Sequence, residues 1–96
     1  MKISVEYLGH VKSVTGGTRR EDVEIPDKSS VAGLLSVLAI RHAEQFKKAI
    51  YESKETDVKP NYIMTVNGYL LNQLQGLGTM LKEGDRVAIL PIVSGG

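Results

Sequence analysis

The sequence predicts an α+β domain: one long helix packed across a mixed sheet of four to five strands. Three observations carry this reading. Apolar residues alternate near both ends of the chain, Ile3, Val5 and Tyr7 first and Val87 and Ile89 last, as in half-buried strands. One long internal run repeats its apolar residues at helical spacing. Turn signals, Gly16-Gly17, Asn67-Gly68 and Glu83-Gly84-Asp85, separate the remaining short apolar runs. A chain of 96 residues fits one domain with one modest core.

The elements follow in order. Lys2 to Leu8 places Ile3, Val5 and Tyr7 on one side and Ser4, Glu6 and Leu8 on the other. Leu8 breaks the polar side. Glu21 to Pro26 alternates again through Val23 and Ile25 and reads as the hairpin partner. Ser29 or Ser30 can cap a helix from about Val31 to about Ile50, with Val31, Leu34, Leu35, Leu38 and Phe46 on its apolar stripe. His42 falls near that stripe and reads as a packing histidine. Glu52 to Pro60 is polar and reads as a surface loop. Tyr62 to Val66 is a third strand, ended by Asn67-Gly68, the strongest short hairpin signal. Leu70, Leu71 and Leu74 suggest a short strand and a loop, and Thr79 to Leu81 a single helical turn. Arg86 to Leu90 is the last strand. Pro91 has no N–H for a ladder, so the strand is expected to free itself there. First and last strands are both rich in apolar residues, which suits neighbours at the centre of a sheet.

Composition narrows the function. The net charge is +1, and the basic residues, such as Lys12, Arg19-Arg20 and Lys47-Lys48, are dispersed among acids. A nucleic-acid binder concentrates them on one face. The chain has no cysteine, hence no disulfide, thiolate nucleophile or thiolate metal site. No apolar run approaches the roughly 20 residues that span a bilayer, and the start lacks a secretory core. The expected address is cytoplasmic, with no metal and no membrane partner.

The sequence closes on Val93-Ser94-Gly95-Gly96, directly after the last strand. Small residues often gather at chain ends, so the glycine pair alone leaves an inert tail open. Glycine has no side chain, however, and an arm of two glycines can enter a narrow channel fully extended. It would carry the Gly96 carboxylate at its tip. The division expected is a domain over 1–91 and a flexible tail over 92–96.

Val66-Asn67-Gly68, Gly84-Asp85-Arg86-Val87-Ala88 and Pro91-Ile92-Val93-Ser94-Gly95-Gly96, in this element order, resemble the ubiquitin-like β-grasp proteins. Among these the chain is most similar to the small subunit of molybdopterin synthase, a sulfur carrier, and to archaeal relatives that also modify proteins. Leu8-Gly9-His10-Val11-Lys12 stands where that family has an apolar-small-polar motif, and Gly76 to Leu81 is similar to the archaeal members. Ile92 departs from the family, many of whose members have a second proline there.

The resemblance implies a division of labour. A carboxylate is a poor electrophile. A ubiquitin-activating-like adenylyltransferase would use ATP to turn Gly96 into an acyl-adenylate. A sulfur donor would then give a thiocarboxylate, or a lysine amine an isopeptide bond. The chain would bind no cofactor itself and, lacking a nucleophile–base set, would be no enzyme. Gly95 would admit the close fit, Ser94 and Val93 would enter the channel with it, and Ile92 and Pro91 would set the exit angle. The family docks through an apolar patch at the places of Leu8, Leu70 and Leu90, with a basic residue at that of Lys12. Single exposed leucines are also ordinary.

Two readings share the tail. In the first the chain is a sulfur carrier working with the large subunit of molybdopterin synthase; in the second it modifies lysines of target proteins. Sulfur donation to tRNA or thiamine precursors, and a binding module with an inert tail, are the remaining alternatives.

Overall fold

The computed structural model describes residues 1–9, 15–50 and 62–91, with side chains placed for most of them. Five strands form one mixed sheet: β1 (Lys2–Tyr7), β2 (Arg20–Glu24), β3 (Tyr62–Val66), β4 (Tyr69–Leu70) and β5 (Arg86–Pro91). Their order across the sheet is β2-β1-β5-β3-β4. The first and last strands are therefore central neighbours, parallel, with Val5 beside Val87 and Tyr7 beside Ile89. The other three pairings are antiparallel.

The helix α1 (Val31–Ile50) covers one face of the sheet. Ser30 is its N-cap: the Ser30 hydroxyl accepts the Gly33 N–H (3.2 Å), and the first helical bond runs from Leu34 N–H to the Ser30 carbonyl (3.0 Å). The Val31 N–H, which has no partner inside the helix, donates to the Thr79 carbonyl (2.9 Å). Leu34, Leu35, Leu38 and Phe46 are fully buried with Ile3, Val5, Val23 and Ile89. Each such side chain contributes about 1.5–3 kcal/mol of transfer free energy. The period of 3.6 on the helix and of two on the strands meet in this layer.

Most sequence expectations hold, with Leu8 just past β1 and β2 starting at Arg20 rather than Glu21. Two do not. No helical turn forms over Thr79 to Leu81. The short 3₁₀ turns are Leu71–Gln73 and Gly76–Gly78, and Thr79 ends the second in extended conformation (φ −58°, ψ 125°). Long-range bonds decide this: Met80 bridges to Ser30, and Leu81 N–H donates to the Ser29 carbonyl (2.9 Å). The Thr79 hydroxyl donates to the Gly76 carbonyl (2.7 Å) and accepts the Gln75 N–H (3.0 Å), closing the loop on itself.

The second correction concerns Pro91, which belongs to β5 and stands opposite Tyr62. Alternate residues of a strand turn their backbone groups to opposite neighbours. Ile89 turns its carbonyl to β1, where it accepts the Leu8 N–H (3.0 Å). Pro91 turns the same way, and β1 has already ended at Tyr7. The missing N–H faces away from β3 and removes no bond to that strand, so the pairing with β3 continues through the proline.

The Asn67-Gly68 turn locks the middle of the sheet. Asn67 (φ 53°) and Gly68 (φ 88°) both occupy the left-handed region that a type I′ hairpin requires. Asn67 Oδ1 accepts the Arg86 N–H (2.9 Å), and Asn67 Nδ2 donates to Asp85 Oδ1 (2.9 Å). Asp85 Oδ2 also accepts the Lys82 N–H (2.8 Å). The hairpin and the turn into β5 are thus one hydrogen-bonded unit. Asp85→Ala removes two of its bonds and is expected to cost about 1–2 kcal/mol in urea denaturation, with Leu8, Leu70 and Leu90 left in place.

Candidate functional site

The face of the sheet away from α1 carries the expected docking residues. Burial of Val87 and Ile89 leaves Arg86, Ala88 and Leu90 of β5 on that open face. Register places Ile63 beside Leu90, and Thr65 beside both Ala88 and Leu70. The Leu8 N–H bond to Ile89 sets Leu8 at the end of β5 on its other flank. Leu8 and Leu70 are each 38% exposed, and Leu90 is half-buried. Leu8, Leu90 and Ile63 therefore form a row across one face at the end where β5 finishes, and Leu70 stands lower on the same face, beside Thr65 and level with Ala88. Apolar residues gathered on one face, rather than scattered, are what a docking surface would need.

Ile63 was not among the residues singled out from sequence. The signal was present: Met64 and Val66 point to the core, so alternation turns Ile63 outward, like Leu8. Lys12, Ile92, Val93, Ser94, Gly95 and Gly96 lie outside the described residues, as does the expected loop over Glu52 to Pro60; of Pro91 only the strand backbone is described.

Charge frames the open face on the β2 side. Glu6 and Arg20 stand opposite each other in β1 and β2, with a carboxylate–guanidinium distance of 3.4 Å. Exposed pairs of this kind contribute less than about 1 kcal/mol. Their effect is to neutralise Glu6 locally.

A second polar cluster lies on the helix side. Glu21 of β2 accepts hydrogen bonds from the Tyr7 hydroxyl (2.7 Å), Arg41 Nη1 (2.6 Å) and His42 Nε2 (2.6 Å). His42 also meets Tyr7 edge-on and stacks near Phe46. It is thus a packing histidine, as its place on the stripe suggests. With an ionised carboxylate as acceptor, Nε2 carries the proton. Burial works against the Glu21 charge, but the bonds from Tyr7, Arg41 and His42 outweigh it and hold the carboxyl below its ordinary value. Burial, followed by the bond to Glu21 and its charge, pushes the Tyr7 phenol far above its ordinary value. The cluster staples the edge strand β2 to the helix. No pattern in the sequence pointed to it, because its members come from three separate elements.

This staple has a measurable pH signature. A carboxyl lowered in the folded state adds stability that is present above its unfolded pKa, near 4.3, and is lost as pH falls through the folded value. Glu21→Gln is expected to cost about 1.5–3 kcal/mol at pH 7, the range for hydrogen bonds to a charged group. In urea denaturation its deficit should shrink as pH falls below about 4.

Among the described residues no group of three or more His, Cys, Asp or Glu side chains could hold a metal ion. No described helix is long and apolar enough to cross a membrane.

A five-stranded mixed sheet grasping one helix, with its first and last strands paired in parallel at the centre, defines a ubiquitin-like β-grasp protein. A family model described as the ThiS family matches residues 5–96, and the chain belongs to that family of ubiquitin-like sulfur carriers. It is 29% identical over 96 residues to the molybdopterin synthase sulfur carrier subunit of Mycobacterium tuberculosis, covering 100% of this chain and 99% of that one. Among solved structures it is similar to SAMP1 from Haloferax volcanii, with a TM-score of 0.85, 21% identity and 100% of both chains covered. It is also similar to a chain of the Amycolatopsis orientalis BexX/CysO complex, with a TM-score of 0.78, 26% identity, and 98% of this chain and 99% of that one covered.

Proposed function

We propose that this chain is a sulfur carrier for molybdopterin synthesis and that the Gly96 carboxyl is its working group. The observation that carries the reading is the match to a sulfur carrier subunit over 100% of this chain, Gly96 included. The fold supports it. β5 runs through the centre of the sheet to Pro91, so residues 92–96 follow directly from the most firmly held strand. Five residues reach at most about 17 Å, enough for a docked partner to bring its active site to Gly96.

The chemistry requires two steps. A ubiquitin-activating-like adenylyltransferase couples the Gly96 carboxylate to the α-phosphate of ATP, releasing pyrophosphate. A sulfide equivalent then attacks the acyl carbon, AMP leaves, and Gly96 ends as a thiocarboxylate. The large subunit of molybdopterin synthase takes the sulfur. ATP belongs to the activating partner; the chain supplies an acyl group and a docking face built on Leu8, Leu70, Leu90 and the basic Lys12. It contributes no catalytic residues of its own beyond the reacting Gly96.

The second reading, conjugation of Gly96 to lysines of other proteins, shares the first step. The likeness to SAMP1 fits it, although at 21% identity that likeness speaks for the fold. The test is to incubate the chain with the source organism's activating enzyme, ATP and labelled pyrophosphate. Chain-dependent exchange of label into ATP is the expected result. No exchange with an enzyme active on another carrier would overturn the reading.

A further inference from the structure

The open face holds a feature that the apolar patch does not use. Below Ala88, away from the tail, lies a depression of ≈ 320 Å³ lined by Ser4, Glu6, Thr65, Arg86 and Ala88 among others. It exists because Ala88 is small while its neighbours in β1 and β3, Glu6 and Thr65, are larger. Its hydrogen-bonding balance is lopsided. Among the described residues neither the Ser4 nor the Thr65 hydroxyl, nor the Arg86 guanidinium, has an intramolecular partner. The one carboxylate in the wall, Glu6, is already faced by Arg20 at 3.4 Å. Asp85, next to Arg86 in sequence, is engaged by Asn67 and the Lys82 N–H.

The geometry points to this depression as a receiving site for an acidic side chain, aspartate or glutamate, of the activating enzyme docked on the open face. The inference rests on that docking. Arg86 offers a planar fork of N–H donors that matches a carboxylate in two-point contact. Ser4 and Thr65 offer two further O–H donors, and Ala88 leaves the room. The depression is continuous with the apolar patch, since Ala88 and Leu90 are successive open-face residues of β5 and Thr65 adjoins both Ala88 and Leu70. One partner surface can therefore cover both, placing an apolar contact near the tail and a carboxylate further down the sheet, toward Arg86. A buried charge-assisted contact of this kind fixes register and orientation as much as affinity. It would hold the partner's active site in line with the end of β5.

The experiment titrates the full chain into the activating enzyme by calorimetry at low and high salt, with adenylation measured on the same samples. Arg86→Glu is expected to lower affinity at least tenfold, and Ala88→Leu, which fills the depression, by a similar factor. Arg86→Lys, which keeps the charge but loses the two-point fork, should weaken binding by less than Arg86→Glu. The wild-type affinity should fall more steeply with salt than that of Arg86→Glu, because one charge pair is lost. All four chains should unfold at the same temperature within a few degrees, since both positions lie outside the core. Binding by Arg86→Glu within twofold of wild type overturns the proposal. So does weakening by Arg86→Glu with none by Ala88→Leu, which would move the carboxylate elsewhere. If Leu90→Glu weakens binding while the Arg86 and Ala88 variants do not, the apolar patch stands and the acidic subsite falls. A wild-type chain that is neither bound nor adenylated removes the underlying reading, and this one with it.

Discussion

Deleting Gly96 is expected to abolish acyl-adenylate formation, lowering the rate at least 1,000-fold, while leaving the urea midpoint where it was. Deletion withdraws the carboxylate by one residue, roughly 3.5 Å. A misplacement of about 1 Å at a reacting centre already costs on the order of 100-fold. Gly95→Val leaves the carboxylate at the same distance but adds a branched Cβ that a channel fitted to glycine would exclude. It also removes backbone conformations that only glycine reaches freely. A loss of about 100-fold is expected. Stability should not follow, because the buried core ends at Ile89 and the described strand at Pro91. Pyrophosphate exchange gives the rate. An unchanged rate with either variant would show that Gly96 is not the activated group.

Leu90→Glu is expected to weaken binding of the activating enzyme by about 100-fold or more. Leu90 stands in the central strand, between Leu8 on one flank and Ile63 on the other. A partner lying on this face must cover it. A carboxylate there would be desolvated under the partner, and central apolar anchors dominate interface energies. Fold stability should change by less than about 1 kcal/mol, since Leu90 points away from the core shared by Val87 and Ile89. Calorimetric titration with the purified enzyme decides it. Affinity equal to wild type would remove the apolar patch as the docking surface.

The fold was legible wherever local chemistry decided it. The 3.6-residue spacing from Val31 to Phe46 marked the helix, and Ser29 or Ser30 its cap. Period-two alternation marked β1, β2 and β5. Asn67-Gly68 marked a turn because few other residues tolerate positive φ at both positions. What escaped was decided at long range. The segment from Thr79 to Leu81 stays extended because it bonds to Ser29, Ser30 and Val31, some 50 residues earlier. Pro91 stays in the strand because its backbone nitrogen faces beyond the end of β1, a fact of sheet order rather than of residue type.

The candidate site divides in the same way. Leu8 stood out as an apolar residue on a polar side, Leu70 and Leu90 by their places in the resemblance, and the sheet brings them to one face. Ile63 obeyed the same rule, one position before Met64. The Glu21, Tyr7, Arg41 and His42 cluster and the donors around Ala88 were hidden, because each needs three elements to meet. Gly95 and Gly96 were legible only as an unusual pair whose meaning came from resemblance.

The most direct measurement is mass spectrometry of the chain recovered from its own cells, read at Gly96. The expected spectrum contains free chain with one carboxyl oxygen replaced by sulfur, the thiocarboxylate of a loaded carrier. Gly96 joined to lysines of other proteins, without any thiocarboxylate, would replace the carrier reading with the modifier one. Only the unmodified carboxylate, in cells where the activating enzyme is active, would contradict the assignment of Gly96 as the working group.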